Sequence, residues 1–378
     1  MGRRDKSHVT FQKALLRWFR ANRRAYPWRR NRNPYRVWLA EVMLQQTRIA
    51  AVIPYYEKFL RRFPNIESLA GAPEREVLQY WAGLGYYSRA RNLRRAARQI
   101  VARHRGKFPR TMEEAIALPG IGRYTAAAIL SIAHGAPLAA LDGNVARVLA
   151  RVGAVRGDLR APQRWRRLEA TAQEFLPIES AGDWNQALME LGEIICTPRS
   201  PRCSECPVRT WCESRKRGLV EVIPTPRAKP ATVHQRIAAA VLLDSRRRTL
   251  LVRDPGAHDD VLFSRMWQFP AVEASRDAAS ELTRHLRDRY GIDPSALSEL
   301  APARHSVTYR NITLAPFLAR VDELPPIPRS RRVPLSDIGR VPLSSATRKI
   351  AESAQRAIDS DETACAAPQN DSRSRVLN

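Results

Sequence analysis

Four of the five cysteines, Cys196, Cys203, Cys206 and Cys212, fall in one short stretch with the spacing C-x6-C-x2-C-x5-C. Four thiolates this close can hold a tetrahedral zinc or a cubane iron–sulfur cluster, and the spacing alone leaves both open. An oxidising compartment would instead spread cysteines through a fold as disulfides. The cluster therefore reads as a metal-binding loop around which a domain has to close. Arg199, Arg202 and Arg209 lie inside it, so whichever metal binds, the loop also presents positive charge. Cys365, far along the chain, reads as an incidental thiol.

That positive charge is part of a larger imbalance, a formal net charge of +27 over 378 residues. Residues 1–60 hold fourteen Lys/Arg against three acids, a net of +11, whereas residues 359–378 are net −2. The excess belongs to the folded part and not to a basic tail. A polyanion partner follows, because neutralising phosphates releases condensed counterions. An acidic lipid surface is the weaker alternative, since neither an amphipathic anchor nor a lipidation motif is present. No apolar run approaches the ~18–20 residues that cross a bilayer. Arg3-Arg4 has no apolar stretch behind it, which supports neither a secretory nor a twin-arginine signal. The expectation is a cytoplasmic chain with no membrane partner.

From residue 8 to about 195 apolar residues recur at three- and four-residue steps, as in Phe11, Leu15 and Trp18-Phe19. Prolines and glycines such as Pro34, Pro54, Gly83 and Pro119-Gly120 punctuate this pattern into about ten helices. The composition then changes. Residues 218–233 read as a basic, proline-containing linker. Beyond it Ile237–Leu243, Thr249–Val252, Ser306–Leu314 and Pro316–Val321 read as strands, and Ala278–Tyr290 as a helix. The expected architecture is a mainly α domain over 1–217, an α+β domain over 234–356 and a disordered tail over 357–378.

Three motifs carry chemistry. The octet Leu118-Pro119-Gly120-Ile121-Gly122-Arg123-Tyr124-Thr125 allows a tight turn whose backbone N–H groups open into a helix, a place for one phosphate; a bare PGxG is more often an ordinary helix–helix turn. Asp142 stands where an N-cap belongs, before the helix beginning at Gly143. A carboxylate at that positive helix end stays ionised and could face a cation developing at a sugar C1′. Glu41 shares a helix stripe with Val37 and Leu44. Desolvation there should raise its pKa, the property of a general acid in a two-carboxylate pair, while the plainer reading is a half-buried Glu paired with an arginine.

Taken together these residues resemble the adenine DNA glycosylase family (MutY), across residues 8–225 and more weakly over 234–350. The octet is similar to the helix-hairpin-helix of base-excision glycosylases. Pro27-Trp28-Arg29, the run Trp38 to Thr47, Gly83 to Leu93 and Leu141-Asp142-Gly143-Asn144 match that family's motifs in order. The resemblance implies a two-lobed helical glycosylase domain, with a [4Fe–4S] cluster on the four cysteines. It further implies that the chain is a monomer acting at the nucleoid on duplex DNA with adenine opposite 8-oxoguanine or guanine.

The implied roles are specific. Glu41 would protonate the adenine leaving group and later activate water, with Asp142 stabilising the oxocarbenium and Asn144 supporting Asp142. The extruded base, which has to leave the stack to be reached, would lie near Arg24, Trp28, Tyr124, Gln186 and Met189. Arg29, Leu44, Gln46 and Tyr86 would contact or wedge the duplex, and Gly120 and Gly122 would hold its backbone. Relatives with lyase activity place a nucleophilic lysine where this chain has Tyr124, and tyrosine cannot form a Schiff base.

The C-terminal part resembles a Nudix-type module used for lesion recognition. Its metal-binding glutamates are missing, and His285 to Gly291 stands in their place. That predicts a domain that binds and does not hydrolyse. Thr308, in Val307-Thr308-Tyr309, is expected to hydrogen-bond the 8-oxoguanine. Two rivals remain: an endonuclease III-like glycosylase/lyase, and a non-enzymatic metal-cluster protein that senses redox state or DNA damage.

Overall fold

Helix-forming periodicity dominates the first half of the chain, and the structure follows it. In the computed structural model residues 3–225, 231–253, 266–307, 309–341 and 343–366 are described, and the chain divides into two units, Met1–Lys229 and Pro230–Asn378. The described part of the first unit contains α1 (Arg3–Asn22), α2 (Pro34–Leu44), α3 (Ile49–Arg62), α4 (Ile66–Gly71), α5 (Glu74–Trp81) and α6 (Tyr87–His104). These are followed by α7 (Met112–Ile116), α8 (Arg123–His134), α9 (Gly143–Val152), α10 (Pro162–Glu174), α11 (Ala181–Ile194) and α12 (Glu213–Lys216). No helix among the described residues is long and apolar enough to cross a membrane.

Local chemistry sets these boundaries. Asn33 caps α2 by accepting the Arg36 N–H at 3.2 Å, with Pro34 supplying a helical φ at the first position. Thr111 does the same for α7, accepting the Glu114 N–H at 3.3 Å. Pro54 does not punctuate as expected. It lies inside α3, where the buried stripe Val52, Tyr56 and Phe59 offsets the lost backbone bond.

The helices pack into two lobes. In the first, Trp38, Trp81, Phe59 and Leu93 belong to one core drawn from Tyr26 through Leu130. The core of the second joins Phe11, Leu15 and Phe19 of α1 to Val145, Trp184 and Leu191, and reaches Ile223. Ile223 is fully buried there, so the expected linker does not begin at 218: its first residues pack onto the helical unit because an isoleucine finds an apolar seat. Residues 226–230 lie outside the described residues.

The second unit is α+β. Its strands are β1 (Val233–Leu243), β2 (Arg248–Val252), β3 (Ala271–Glu273), β4 (Ser298–Glu299), β5 (Ala303–Val307), β6 (Arg310–Arg320) and β7 (Ser330–Pro334). Two helices accompany them, α13 (Ala278–Tyr290) and α14 (Ser345–Ala366). The sheet runs β4-β6-β1-β2-β7, with β1 and β6 parallel, β3 on β1 and β5 on β6. Ala238 to Leu243 is an unbroken apolar run because both faces of β1 are covered. Ala238, Ala240 and Leu242 pack with Leu282 and Leu286 of α13, while Ala239, Val241 and Leu243 pack with Ile350 and Ala354 of α14.

Two expectations fail in this unit. Ser306–Leu314 is not one strand. The chain reverses there, so that Val307 of β5 pairs antiparallel with Arg310 of β6, and β6 then continues through Pro316. The expected disordered tail is helical as far as Ala366, since α14 extends one apolar stripe to Ile358 and carries on beyond it. Thr308 lies outside the described residues, as do 367–378.

Candidate active site and cluster loop

A cleft of about 570 Å³ opens between the two lobes, lined by Glu41, Tyr124, Asp142, Gln186, Met189 and Glu190 among others. Glu41 projects from α2 because its helical neighbours Val37 and Met43 are buried, which fixes the face it shares with Leu44. Tyr124 stands in the first turn of α8, after the glycine turn. Gly120 has φ +78°, and a Cβ there would sit 2.8 Å from the Asn92 Cβ, so only glycine fits without displacement. The Tyr124 hydroxyl donates to Glu41 Oε2 at 2.9 Å and lies 3.7 Å from the Met189 sulfur.

Burial is the largest influence on the Glu41 carboxyl and pushes it up to about 7. The charge of Asp142 adds to that rise, while the Tyr124 hydroxyl and Arg29 oppose it. Burial also raises the Tyr124 phenol well above its ordinary value, so it stays a donor at neutral pH.

Asp142 faces the cleft from the other lobe. It caps α9, accepting the Val145 N–H at 2.7 Å and the Asn144 amide at 3.2 Å. Burial raises its pKa, contrary to the expectation of a simply ionised helix cap; the two amide groups and Arg147 pull it back down. Arg147 in turn donates to Asn144 Oδ1 at 2.9 Å and to the Cys196 carbonyl at 2.8 Å, so one hydrogen-bonded chain runs from the carboxylate to the cysteine loop.

The remaining expected residues divide. Trp28, Leu44, Gln46, Asn144, Gln186 and Met189 all line the cleft, and Trp28 stacks on Tyr26 at 5.0 Å between ring centroids. Arg24 does not line it: its half-exposed side chain pairs with Glu193 at 3.3 Å and reaches the Tyr26 hydroxyl at 3.0 Å. Arg29, expected on the duplex, is instead turned inward. It forms an ion pair with the buried Glu190, donates to Gln186 Oε1 at 3.1 Å and lies against the Phe19 and Tyr26 rings. Tyr86 is exposed, in a left-handed conformation immediately before α6. Gly122 precedes α8 without a side-chain cap, which leaves the first amides of that helix available.

Two residues were missed. Glu190 receives both the Arg29 guanidinium and the Arg24 N–H, at 3.0 Å for the latter, and holds the Pro27–Arg29 turn against α11. The Met-Glu dipeptide in α11 gave no signal, because its partners lie more than a hundred positions earlier. Arg89 is the other. Its buried guanidinium donates to the carbonyls of Val42 at 2.8 Å and Met43 at 2.9 Å and to the Thr47 hydroxyl at 3.1 Å, completing the C-terminal end of α2. A cation suits that end of a helix, and burial still lowers its pKa to about 10.

The four cysteines line one small cavity of about 30 Å³ together with Arg151 and Arg209. Arg151 donates to the Cys196 sulfur at 3.3 Å, as a thiolate ligand would require, and to the Thr197 carbonyl at 2.7 Å. Among the described residues no three donors are grouped closely enough to hold a single metal ion. A tetrahedral zinc, with bonds of about 2.3 Å to each sulfur, would need such a group. Four thiols spread around one cavity suit a cluster that brings its own irons and sulfides.

Comparison with known proteins agrees with this geometry. Residues 39–177 match the HhH-GPD superfamily of base excision DNA repair proteins, and residues 196–212 match the iron–sulfur binding domain of endonuclease III. The loop is thus a [4Fe–4S] site. A thermostable thymine-DNA glycosylase of known structure is 29% identical, with a TM-score of 0.53, over 57% of this chain and all of that one. Fold and site together define a helix-hairpin-helix DNA repair glycosylase.

Adenine DNA glycosylases are closer in sequence. The human protein is 47% identical over 224 residues, 57% of this chain and 41% of that one. The mouse protein is 34% identical over 374 residues, 85% of this chain and 73% of that one. The protein from Buchnera aphidicola subsp. Baizongia pistaciae is 40% identical over 207 residues, 54% of this chain and 58% of that one. The chain belongs to the adenine DNA glycosylase family. Its matched part spans between 41% and 73% of the length of these three relatives.

Proposed function

We propose that the chain excises adenine mispaired with 8-oxoguanine or guanine in duplex DNA, hydrolysing the N-glycosidic bond and leaving the phosphodiester backbone intact. One observation carries this reading. A carboxyl held near pKa 7 by burial and hydrogen-bonded by Tyr124 shares the cleft with the capped carboxylate of Asp142. A carboxyl kept protonated by burial beside a carboxylate held by amide donors is what acid-assisted cleavage of a glycosidic bond requires.

Protonated Glu41 gives its proton to a ring nitrogen of the extruded adenine, and the N9–C1′ electron pair leaves with the base. The cation left at C1′ faces the Asp142 carboxylate, whose charge the Val145 and Asn144 donors maintain. Water then adds to C1′, and Glu41, now a carboxylate, accepts its proton. The products are free adenine and an abasic sugar. Base extrusion precedes this, because the bond is shielded within the stack.

Among the described residues no lysine lines the cleft, which supports hydrolysis over Schiff-base chemistry. Cys196, Cys203, Cys206 and Cys212 would hold the [4Fe–4S] cluster, which would serve the structure of the loop, and no step passes through it. The second unit would recognise the lesion through Thr308 in a Nudix-like fold. Single-turnover excision on duplexes with adenine opposite 8-oxoguanine, guanine or thymine, developed with and without alkali, tests the whole reading. Strand breaks that require alkali and form fastest opposite 8-oxoguanine are expected. Equal rates opposite guanine would remove the role of Thr308. Breaks without alkali, trapped by borohydride, would favour the lyase reading.

A further inference from the structure

Gln46, at φ +57°, and Tyr86, at φ +48°, are non-glycine residues held in the left-handed region. The first lies just beyond the end of α2, and the second stands immediately before α6. Such backbone persists only where its surroundings hold it, and it gathers at functional sites. Gln46 lines the cleft, and Tyr86 is a large aromatic left 41% exposed. The two turns are far apart in sequence, yet one buried side chain, Arg89, is bonded to both.

The guanidinium reaches the residue that precedes each strained one. Its Nη1 donates to the Gln45 carbonyl, beside the bonds to Val42 and Met43, and its Nη2 donates to the Thr47 hydroxyl at 3.1 Å. The same Nη2 donates to the Gly85 carbonyl at 3.3 Å, which also accepts the Trp81 indole N–H at 3.1 Å. Gln46 is thus bracketed by bonds at Gln45 and Thr47, and Tyr86 is anchored through Gly85. The guanidinium carbon lies 5.3 Å from the centroid of the Tyr86 ring and 5.4 Å from that of Trp81. Capping α2 alone would not need this, because water or a lysine satisfies the last carbonyls of a helix. A planar fork with several donors serves two turns at once. Burying a cation is unfavourable, and here carbonyl dipoles and two aromatic faces offset it.

We infer that Arg89 is a positioning residue for base extrusion: one guanidinium sets the Gln46 turn and the Tyr86 turn against each other before a duplex arrives. The inference rests on the reading of the cleft as a site for an adenine drawn out of a duplex. Extrusion leaves a gap in the stack and an unpaired partner base. An aromatic ring can stack against exposed bases, and an amide can hydrogen-bond a base edge. With both turns set in advance, their ordering does not oppose the extrusion step. Arg89, being buried, acts through those turns.

Stopped-flow fluorescence of the cluster-loaded full chain tests this, with 2-aminopurine replacing the target adenine opposite 8-oxoguanine. In Glu41→Gln the chemistry is suppressed, so the rise in fluorescence reports unstacking alone. Adding Arg89→Lys, which keeps a cation but cannot span both turns, should slow that rise by roughly tenfold or more. Single-turnover excision of adenine by Arg89→Lys should slow too, yet reach full amplitude, since a misplaced turn lowers the rate whereas misfolding lowers the active fraction. Thr47→Val removes one acceptor of Arg89 at nearly the same shape, and should slow the rise about threefold with an unchanged melting temperature. A rise as fast as the parent's in Arg89→Lys would overturn the inference, as would a loss confined to amplitude. Should Arg89→Lys not fold, Thr47→Val decides in the same way. No rise in Glu41→Gln itself would overturn the extrusion reading and the inference with it, so the two failures differ at the parent protein.

Discussion

The cleft of the first unit and the cavity of the second enclose similar volumes, about 570 and about 660 Å³, yet carboxyl groups line only the first among the described residues. In the cleft Glu41 and Asp142 lie beside a phenol and an amide, and burial moves both pKa values upward. The cavity is lined by Arg253, Arg289 and Arg329 together with His285, whose pKa burial lowers. Carboxyl groups displaced toward neutrality can give and take protons; guanidiniums cannot. The difference separates side chains that can exchange a proton near neutrality from side chains that keep their charge.

The comparison is most exposed at Glu41. Glu41→Gln keeps the shape and the Tyr124 hydrogen bond but removes the transferable proton. Single-turnover excision should fall by roughly 10²–10⁴-fold, and near-normal rates would show that the cleft does not work as an acid. In wild type the rate should decline about tenfold per pH unit above pH 7, as the protonated fraction of Glu41 disappears. A pH-independent rate between 6 and 9 would contradict that assignment.

The same carboxyl has a signed effect on stability. Its folded pKa of about 7 lies above the ordinary 4.5, so the folded state binds a proton that the unfolded state has released. Stability is therefore full below pH 4.5 and is lost as pH rises to about 7. Glu41→Gln should stabilise the chain at pH 8 by about 3 kcal/mol and leave it unchanged at pH 4. Thermal melts at the two pH values check both halves. The smallest effect is expected from Tyr124→Phe. Removing the hydroxyl that lowers the Glu41 pKa should move the alkaline limb to higher pH, with a less than tenfold change in rate below it.

Much of the cleft was legible because its residues sit in short, local patterns. Glu41 stood out as a carboxylate on an apolar stripe, Asp142 as a helix cap, Tyr124 as the residue after a glycine turn, and the cysteines by their spacing. What the sequence hid are pairings made across the fold. Arg29 looked like a DNA contact because nothing local reveals that Glu190 will bury it. Arg89 lay inside a motif, yet its task of closing α2 depends on carbonyls more than forty positions away. The arginine cavity was likewise invisible, since it assembles from three separated segments. Tail and linker were misread because composition reports average polarity and misses a single well-placed Ile223 or the apolar stripe of α14.

The layout of the two helical cores has a consequence for synthesis. The first core draws on one continuous run, Tyr26 to Leu130, whereas the second joins α1 to residues beyond 140 and finally to Ile223. On the ribosome the first lobe can therefore fold as soon as its own residues emerge. Phe11, Leu15 and Phe19 have to wait, apolar and uncovered, until α11 and the cysteine loop have been made. A strongly basic stretch, net +11 over residues 1–60, surrounds that waiting helix, so its charge keeps the nascent segment soluble long before it meets any nucleic acid.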